Sequence, residues 1–179
     1  HIRKATQGKI ALENCHPFVR ELWGRYWVFA HNGNLDNFHP ENTGFYQAVG
    51  KTDSEKAFCL ILEKLRESFP QNKPVLTEIY AVLDEITKRL ADRGIFNYLL
   101  SDGEHLFAHC STNLHYIVRQ APFASAHSID EDVTVDFREL TNEGDRVAVI
   151  ATLPLTDNEV WTQIQPGELI VFQDGLPIL

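Results

Sequence analysis

The sequence predicts an α+β fold built on antiparallel sheet. Three observations carry that reading: strand-like segments come first, two amphipathic helices sit together in the middle, and short strands punctuated by turn signals fill the rest. Strands and helices do not alternate regularly, which argues against a doubly wound parallel sheet.

The elements follow in order. His1 to Ala5 alternates as a strand does, and Tyr26 to Ala30 is a second strand candidate beyond a polar segment. His31-Asn32-Gly33-Asn34 then reads as a turn. A loop rich in Asn, Pro and Gly runs from Leu35 to Lys51, and Thr52-Asp53-Ser54-Glu55 has the form of a capping box, so a helix is expected to start near Asp53. Phe58, Ile61, Leu62 and Leu65 give that helix one apolar face. After Pro70 to Pro74, the spacing of Val75, Ile79, Val82, Leu83, Ile86 and Leu90 predicts a second helix, antiparallel to the first, with Gly94 as the residue that closes it. Phe96 to Leu100, Leu106 to Ser111 and Leu114 to Arg119 predict a meander with a turn at Asp102-Gly103, and Val147 to Thr152 and Leu169 to Phe172 add two strands. Asp174-Gly175 predicts a last tight turn. No repeat, linker or low-complexity tract divides the 179 residues, so one domain over 1–179 is expected.

Composition excludes some functions. With 44% hydrophobic and 23% charged residues the chain can bury a sizeable core, and its net charge of −9 disfavours nucleic acid and anionic membrane as partners, leaving a small polar molecule as the natural ligand. No apolar run reaches the roughly 18–20 residues that cross a bilayer, and no signal segment opens the sequence. Cys15, Cys59 and Cys110 are odd in number and form no C-x-x-C pair, which suggests neither a disulfide framework nor a zinc ribbon. A reducing, cytoplasmic setting is expected. His1-Ile2-Arg3-Lys4-Ala5, strand-like and without a methionine, further suggests that residues precede it.

Four groups in the first third could carry chemistry: His1-x-Arg3-x-x-Thr6-x-Gly8, Asn14-Cys15-His16-Pro17-Phe18, His31-Asn32-Gly33, and Thr52-Asp53-Ser54-Glu55. Arg3 could fork onto a carboxylate, or pair with a surface acid. Asp53 could hold an ammonium group, or belong to a helix cap. Asn32 and Gly33 could offer an amide and a backbone N–H to one oxyanion, or form a plain turn. His16 could touch substrate, or be a loop histidine held by the backbone. The spacings of His1, His16, His31 and His39 match no metal signature, so no metal or cofactor is expected. Cys15 beside His16 does not suggest a thiol protease, because neighbours on a strand point apart. Trp23, Trp27 and Trp161 read as core or interface residues.

Taken together and in this order, the four groups resemble the class II, N-terminal-nucleophile glutamine amidotransferases, whose pattern runs H-x-R-x-A-T-x-G, N-x-H-P-[FH], [VAF]-H-N-G and T-D-[ST]-E. The run Ala11 to Gly24 is closer still to the free-standing, YafJ-type bacterial members, as are Phe96 to Gly103, Cys110 to His115 and Ile150-Ala151-Thr152-x-Pro154-Leu155-Thr156. The resemblance covers essentially the whole chain and implies a four-layer α-β-β-α sandwich. It implies an N-terminal cysteine nucleophile upstream of His1, whose α-amino group serves as base, and a γ-glutamyl thioester intermediate. It assigns Arg3 to the substrate carboxylate, Asp53 to the ammonium, Asn32 and Gly33 to the oxyanion, and Thr6 and Gln7 to the pocket wall, with His16 as the substrate-binding loop histidine near it. Lys4 and Gln7 depart from the sugar-phosphate and purine branches, which carry Trp and His there. Those branches also append a synthase domain, whereas this sequence ends at Leu179 after its last strand, so a free-standing amidase or one docking to a separate acceptor or synthase protein is expected. The implied activity is hydrolysis of the γ-amide of glutamine or of a related γ-glutamyl amide; a non-catalytic γ-glutamyl-binding or scaffolding subunit is the alternative. An amidase for other amides, with Ser or Thr upstream, fits Arg3 and Asp53 less well.

Overall fold

The computed structural model describes residues 11–40, 44–130, 134–136 and 142–179; the strand expected over His1 to Ala5 lies outside them. A 3-10 turn at Leu12–Asn14 leads into β1 (Phe18–Leu22) and the long β2 (Arg25–Leu35). Trp23 and Gly24 join them with φ of 57° and 72°, and Leu22 faces Arg25 across the ladder. Two successive positive φ values match the right-handed twist of a hairpin. Helices α1 (Asp53–Ser68) and α2 (Leu76–Ala91) follow. The remainder is strand: β3 (Gly94–Ser101), β4 (Leu106–His109), β5 (Leu114–Gln120), β6 (Ser125–His127), β7 (Thr134–Asp136), β8 (Arg146–Ala151), β9 (Thr162–Ile164), β10 (Leu169–Gln173) and β11 (Leu176–Pro177).

A six-stranded antiparallel sheet runs β1-β2-β3-β4-β10-β11, a second runs β8-β5-β9, and β6 pairs with β7. Alternation along the large sheet gives it two buried faces. Trp27, Phe29, Phe96, Tyr98, Leu100, Phe107 and Val171 pack against Phe58, Ile61, Leu62, Leu65, Ile79, Leu83 and Leu90 of the helices. Ala108, Ile170 and Phe172 face the other way and meet Leu114, Ile164, Tyr116, Ala148 and Ile150 of the smaller sheet. Among the described residues the layers are therefore three, helix pair on sheet on sheet. The predicted antiparallel α+β architecture stands; the fourth layer is not among these residues.

Several boundaries differ from the sequence reading. The turn expected at His31 to Asn34 is strand: β2 continues to Leu35, with His31 opposite Tyr98, Asn32 opposite Asn97, Gly33 opposite Phe96 and Leu35 opposite Gly94. The partner strand holds in extended form residues that would turn if left alone. Gly94 does not close α2; the helix ends at Ala91, and Gly94, with φ of 149°, opens β3. The capping box at α1 is half formed. Thr52 Oγ1 accepts the Glu55 N–H at 3.2 Å, but the Glu55 carboxylate accepts the N–H groups of Val49 and Gly50 instead of that of Thr52. Trp27 is fully buried and stacks on Phe107, and Asp174-Gly175 forms the expected β10-β11 turn with φ of 49° and 76°.

Candidate functional site

Three of the four sequence groups converge on the first turn of α1. Thr52 starts the helix at a fixed place, and acidic Asp53 and Glu55 in that turn complement the positive end of its dipole. The C-terminal part of β2 is tied to this turn twice. Leu35 donates its N–H to Asp53 Oδ2 at 2.8 Å, and Ser54 Oγ lies 2.9 Å from Nδ1 of buried His31. His31 Nε2 sits 3.0 Å from the Ile95 carbonyl. A carbonyl only accepts, so Nε2 carries a proton, while Nδ1 faces a Ser54 hydroxyl that also lies 3.4 Å from Asp53 Oδ1. Asn32, Gly33 and Asn34 thus lie on a strand segment pinned at both ends.

The second group is tied to the same turn. Asn14 Oδ1 accepts the Lys51 N–H at 3.0 Å, and Arg20 Nη2 lies 2.5 Å from Oε1 of buried Glu55. With the Val49 and Gly50 N–H groups at 3.0 and 2.7 Å, Glu55 holds the chain entering the helix. His16 is buried and its ring meets the edge of Phe18 at 4.7 Å.

Gly33 is required by space. A Cβ there would stand 1.8 Å from the Ile95 carbonyl oxygen and 2.7 Å from His31 Nε2. Opposite it the ladder is handed to side chains. Asn97 donates to the Asn32 carbonyl at 3.1 Å and to Thr112 Oγ1 at 2.9 Å, and its Oδ1 accepts the N–H groups of Ser111 and Thr112. All four hydrogen-bonding positions of that amide are filled. Ser111 Oγ accepts the Phe96 N–H at 2.9 Å. The Asn32 amide itself is exposed and reaches Thr152 Oγ1 at 3.4 Å, while His115 Nδ1 donates to the Thr152 carbonyl at 3.0 Å.

The predicted residues are thus placed unevenly. Asn32, Gly33 and Asp53 come together, His16 lies in the segment tied to the same turn, and Arg3, Thr6 and Gln7 fall outside the described residues. The organisers Ser54, Asn97, Ser111, Thr112 and Thr152 were not singled out from sequence, although the segments containing them were quoted as motifs. None of the three cysteines sits as a nucleophile here. Burial pushes the Cys59 thiol up to about 11 and also raises Cys110, while exposed Cys15 donates its thiol to the Ala11 carbonyl. Asp102, Glu104 and His105 are close enough to share a cation, but Lys73 Nζ already lies 2.7 Å from Asp102 and 3.0 Å from Glu104.

A family model for glutamine amidotransferases class II matches residues 1–179. The chain belongs to that family. Two relatives bear the name "Putative glutamine amidotransferase". The Haemophilus influenzae protein is 51% identical over 98% of this chain and 59% of its own length; the Escherichia coli protein, YafJ, is 49% identical over 96% and 68%. The chain therefore spans roughly three fifths to two thirds of these relatives. The crystal structure of a predicted glutamine amidotransferase from Pseudomonas aeruginosa superposes with a TM-score of 0.89 at 49% identity, covering 100% of this chain and 70% of that one. Among the described residues no helix is long and apolar enough to cross a membrane.

Proposed function

We propose that this amidotransferase chain holds the γ-glutamyl group and stabilises the oxyanion in hydrolysis of the γ-amide of glutamine or of a related γ-glutamyl amide. The observation that carries the reading is the double tie between β2 and the first turn of α1, which fixes an exposed Asn amide and an obligatory Gly beside a carboxylate. Asp53 Oδ2 accepts the Leu35 N–H, and a carboxylate at this place suits an α-ammonium group. Arg3 takes the α-carboxylate, and Thr6, Gln7 and His16 complete the wall.

In the proposed reaction a thiolate adds to the amide carbon, and the oxygen becomes an anion held by the Asn32 amide and the Gly33 N–H. The α-amino group that took the thiol proton returns it to the amide nitrogen, so collapse expels ammonia and leaves a γ-glutamyl thioester, which water converts to the acid and free thiol. The family resemblance puts the sulfur on an N-terminal cysteine preceding His1, and the burial of Cys59 and Cys110 and the tie of Cys15 to its own turn agree with that reading. Ammonia is released or passed to a separate acceptor or synthase protein.

The test is ammonia release from glutamine by the intact gene product. Asn32→Ala is expected to lower kcat by about 10²–10³, and Asp53→Asn to raise KM. Unchanged kinetics in both variants would overturn the reading.

A further inference from the structure

A cavity of about 640 Å³ opens between α1, α2 and the segment after β2. Its size is that of a small-molecule site. Phe38, Leu60, Ile86 and Leu90 supply apolar walls, and Lys64, Arg89 and Arg93 supply positive charge. Each of the two acids that line it has a basic partner, and that of Glu67 is Lys64 of the same lining, which leaves Arg89 and Arg93 as the uncompensated charge. Glu63 accepts the Tyr46 N–H at 3.0 Å and faces Arg66, and Glu67 pairs with Lys64. Arg89 and Arg93 have no acidic partner among the described residues, in a chain whose net charge is −9. Interaction with the C-terminal end of α2 accounts for a basic residue in its last turn. It does not account for two guanidinium groups lining one apolar-walled cavity.

We propose that this cleft binds a small organic oxyanion, a phosphate ester or a polycarboxylate, with Arg89 and Arg93 on the anionic group and the carbon skeleton against Leu60, Leu90 and Phe38. Guanidinium forks match such oxyanions bidentately. The cleft is also wired to the strand that carries Asn32. Asn34 Nδ2 donates to Asp36 Oδ1 at 2.7 Å, the Asp36 N–H donates to the Arg93 carbonyl at 2.8 Å, and Asn37 and Phe38 line the cavity. A ligand there contacts the segment that leaves β2, so it is placed to act as an effector.

The experiment is calorimetric titration of the intact gene product with pyrophosphate and with citrate at matched ionic strength, which separates phosphate from carboxylate preference. Saturable binding of at least one probe is expected, weakened at least about tenfold in Arg89→Glu and Arg93→Glu and unchanged in the distant control Arg25→Gln. Amide shifts confined to Phe38, His39 and Arg93 on adding the probe are expected in parallel. Absence of saturable binding by both probes, or equal binding by the glutamate variants, overturns the proposal. Neither readout depends on amide hydrolysis, so the proposal fails or stands apart from the function above.

Discussion

Gly33 and Asn32 share one strand segment and answer to different constraints. At Gly33 the Ile95 carbonyl leaves no room for a methyl group, so Gly33→Ala is expected to cost about 1–3 kcal/mol or more, read as a lower denaturant midpoint. Asn32 is exposed and makes one long side-chain contact, so Asn32→Ala should unfold at an unchanged midpoint while losing activity. His109 gives a pH signature. Its ring is buried between β3 and β4, and burial holds its pKa below the ordinary 6.5 even though Nδ1 donates to the Phe96 carbonyl. The folded protein binds that proton less well than the unfolded chain, so the stabilisation is complete above pH 6.5 and declines as the pH falls through that value toward the folded pKa. Equilibrium unfolding followed from pH 7.5 to about 5 should therefore fall less steeply in His109→Gln than in the parent. An identical acid limb in both would contradict this.

At the scale of elements, the first turn of α1 is where separate strands are joined, and Glu55 is its hub. Removing the carboxylate strands Arg20 and two backbone N–H groups, and Glu55→Ala is expected to lose about 3–5 kcal/mol, measured by chemical denaturation. Asn97 does the corresponding work for the loop after β4. Asn97→Ala leaves the Asn32 carbonyl and the Ser111 and Thr112 N–H groups without their partner and should lose at least about 2 kcal/mol. The start of α1 was readable because Thr52 and Glu55 signal a cap through local hydrogen bonds. The strand at His31 to Asn34 was not, because what straightens it is pairing with residues some 60 positions later. The β1-β2 hairpin was missed for another reason: Trp23 is an unusual residue to occupy a positive φ, so Trp23-Gly24 lacks the usual Asn-Gly signal.

For the whole molecule, the order of the four sequence groups was informative because folding makes three of them neighbours: Asn14 with Lys51, Arg20 with Glu55, His31 with Ser54 and Leu35 with Asp53. The same packing places Cys59 on the buried face of α1 and Cys110 between the sheets. A thiol reagent such as 5,5′-dithiobis(2-nitrobenzoate) should therefore modify Cys15 quickly and the other two only on unfolding. Sequence did not reveal the cleft charged by Arg89 and Arg93, since its lining comes from three segments. The central claim, a γ-glutamyl site whose sulfur precedes His1, is tested most directly by treating the intact gene product with the glutamine mimic 6-diazo-5-oxo-norleucine and mapping the adduct by mass spectrometry. One adduct on an N-terminal cysteine, lost in Arg3→Ala and in Asp53→Ala, is the predicted result; no adduct on an intact chain with a free N-terminal cysteine, or labelling indifferent to both substitutions, would contradict it.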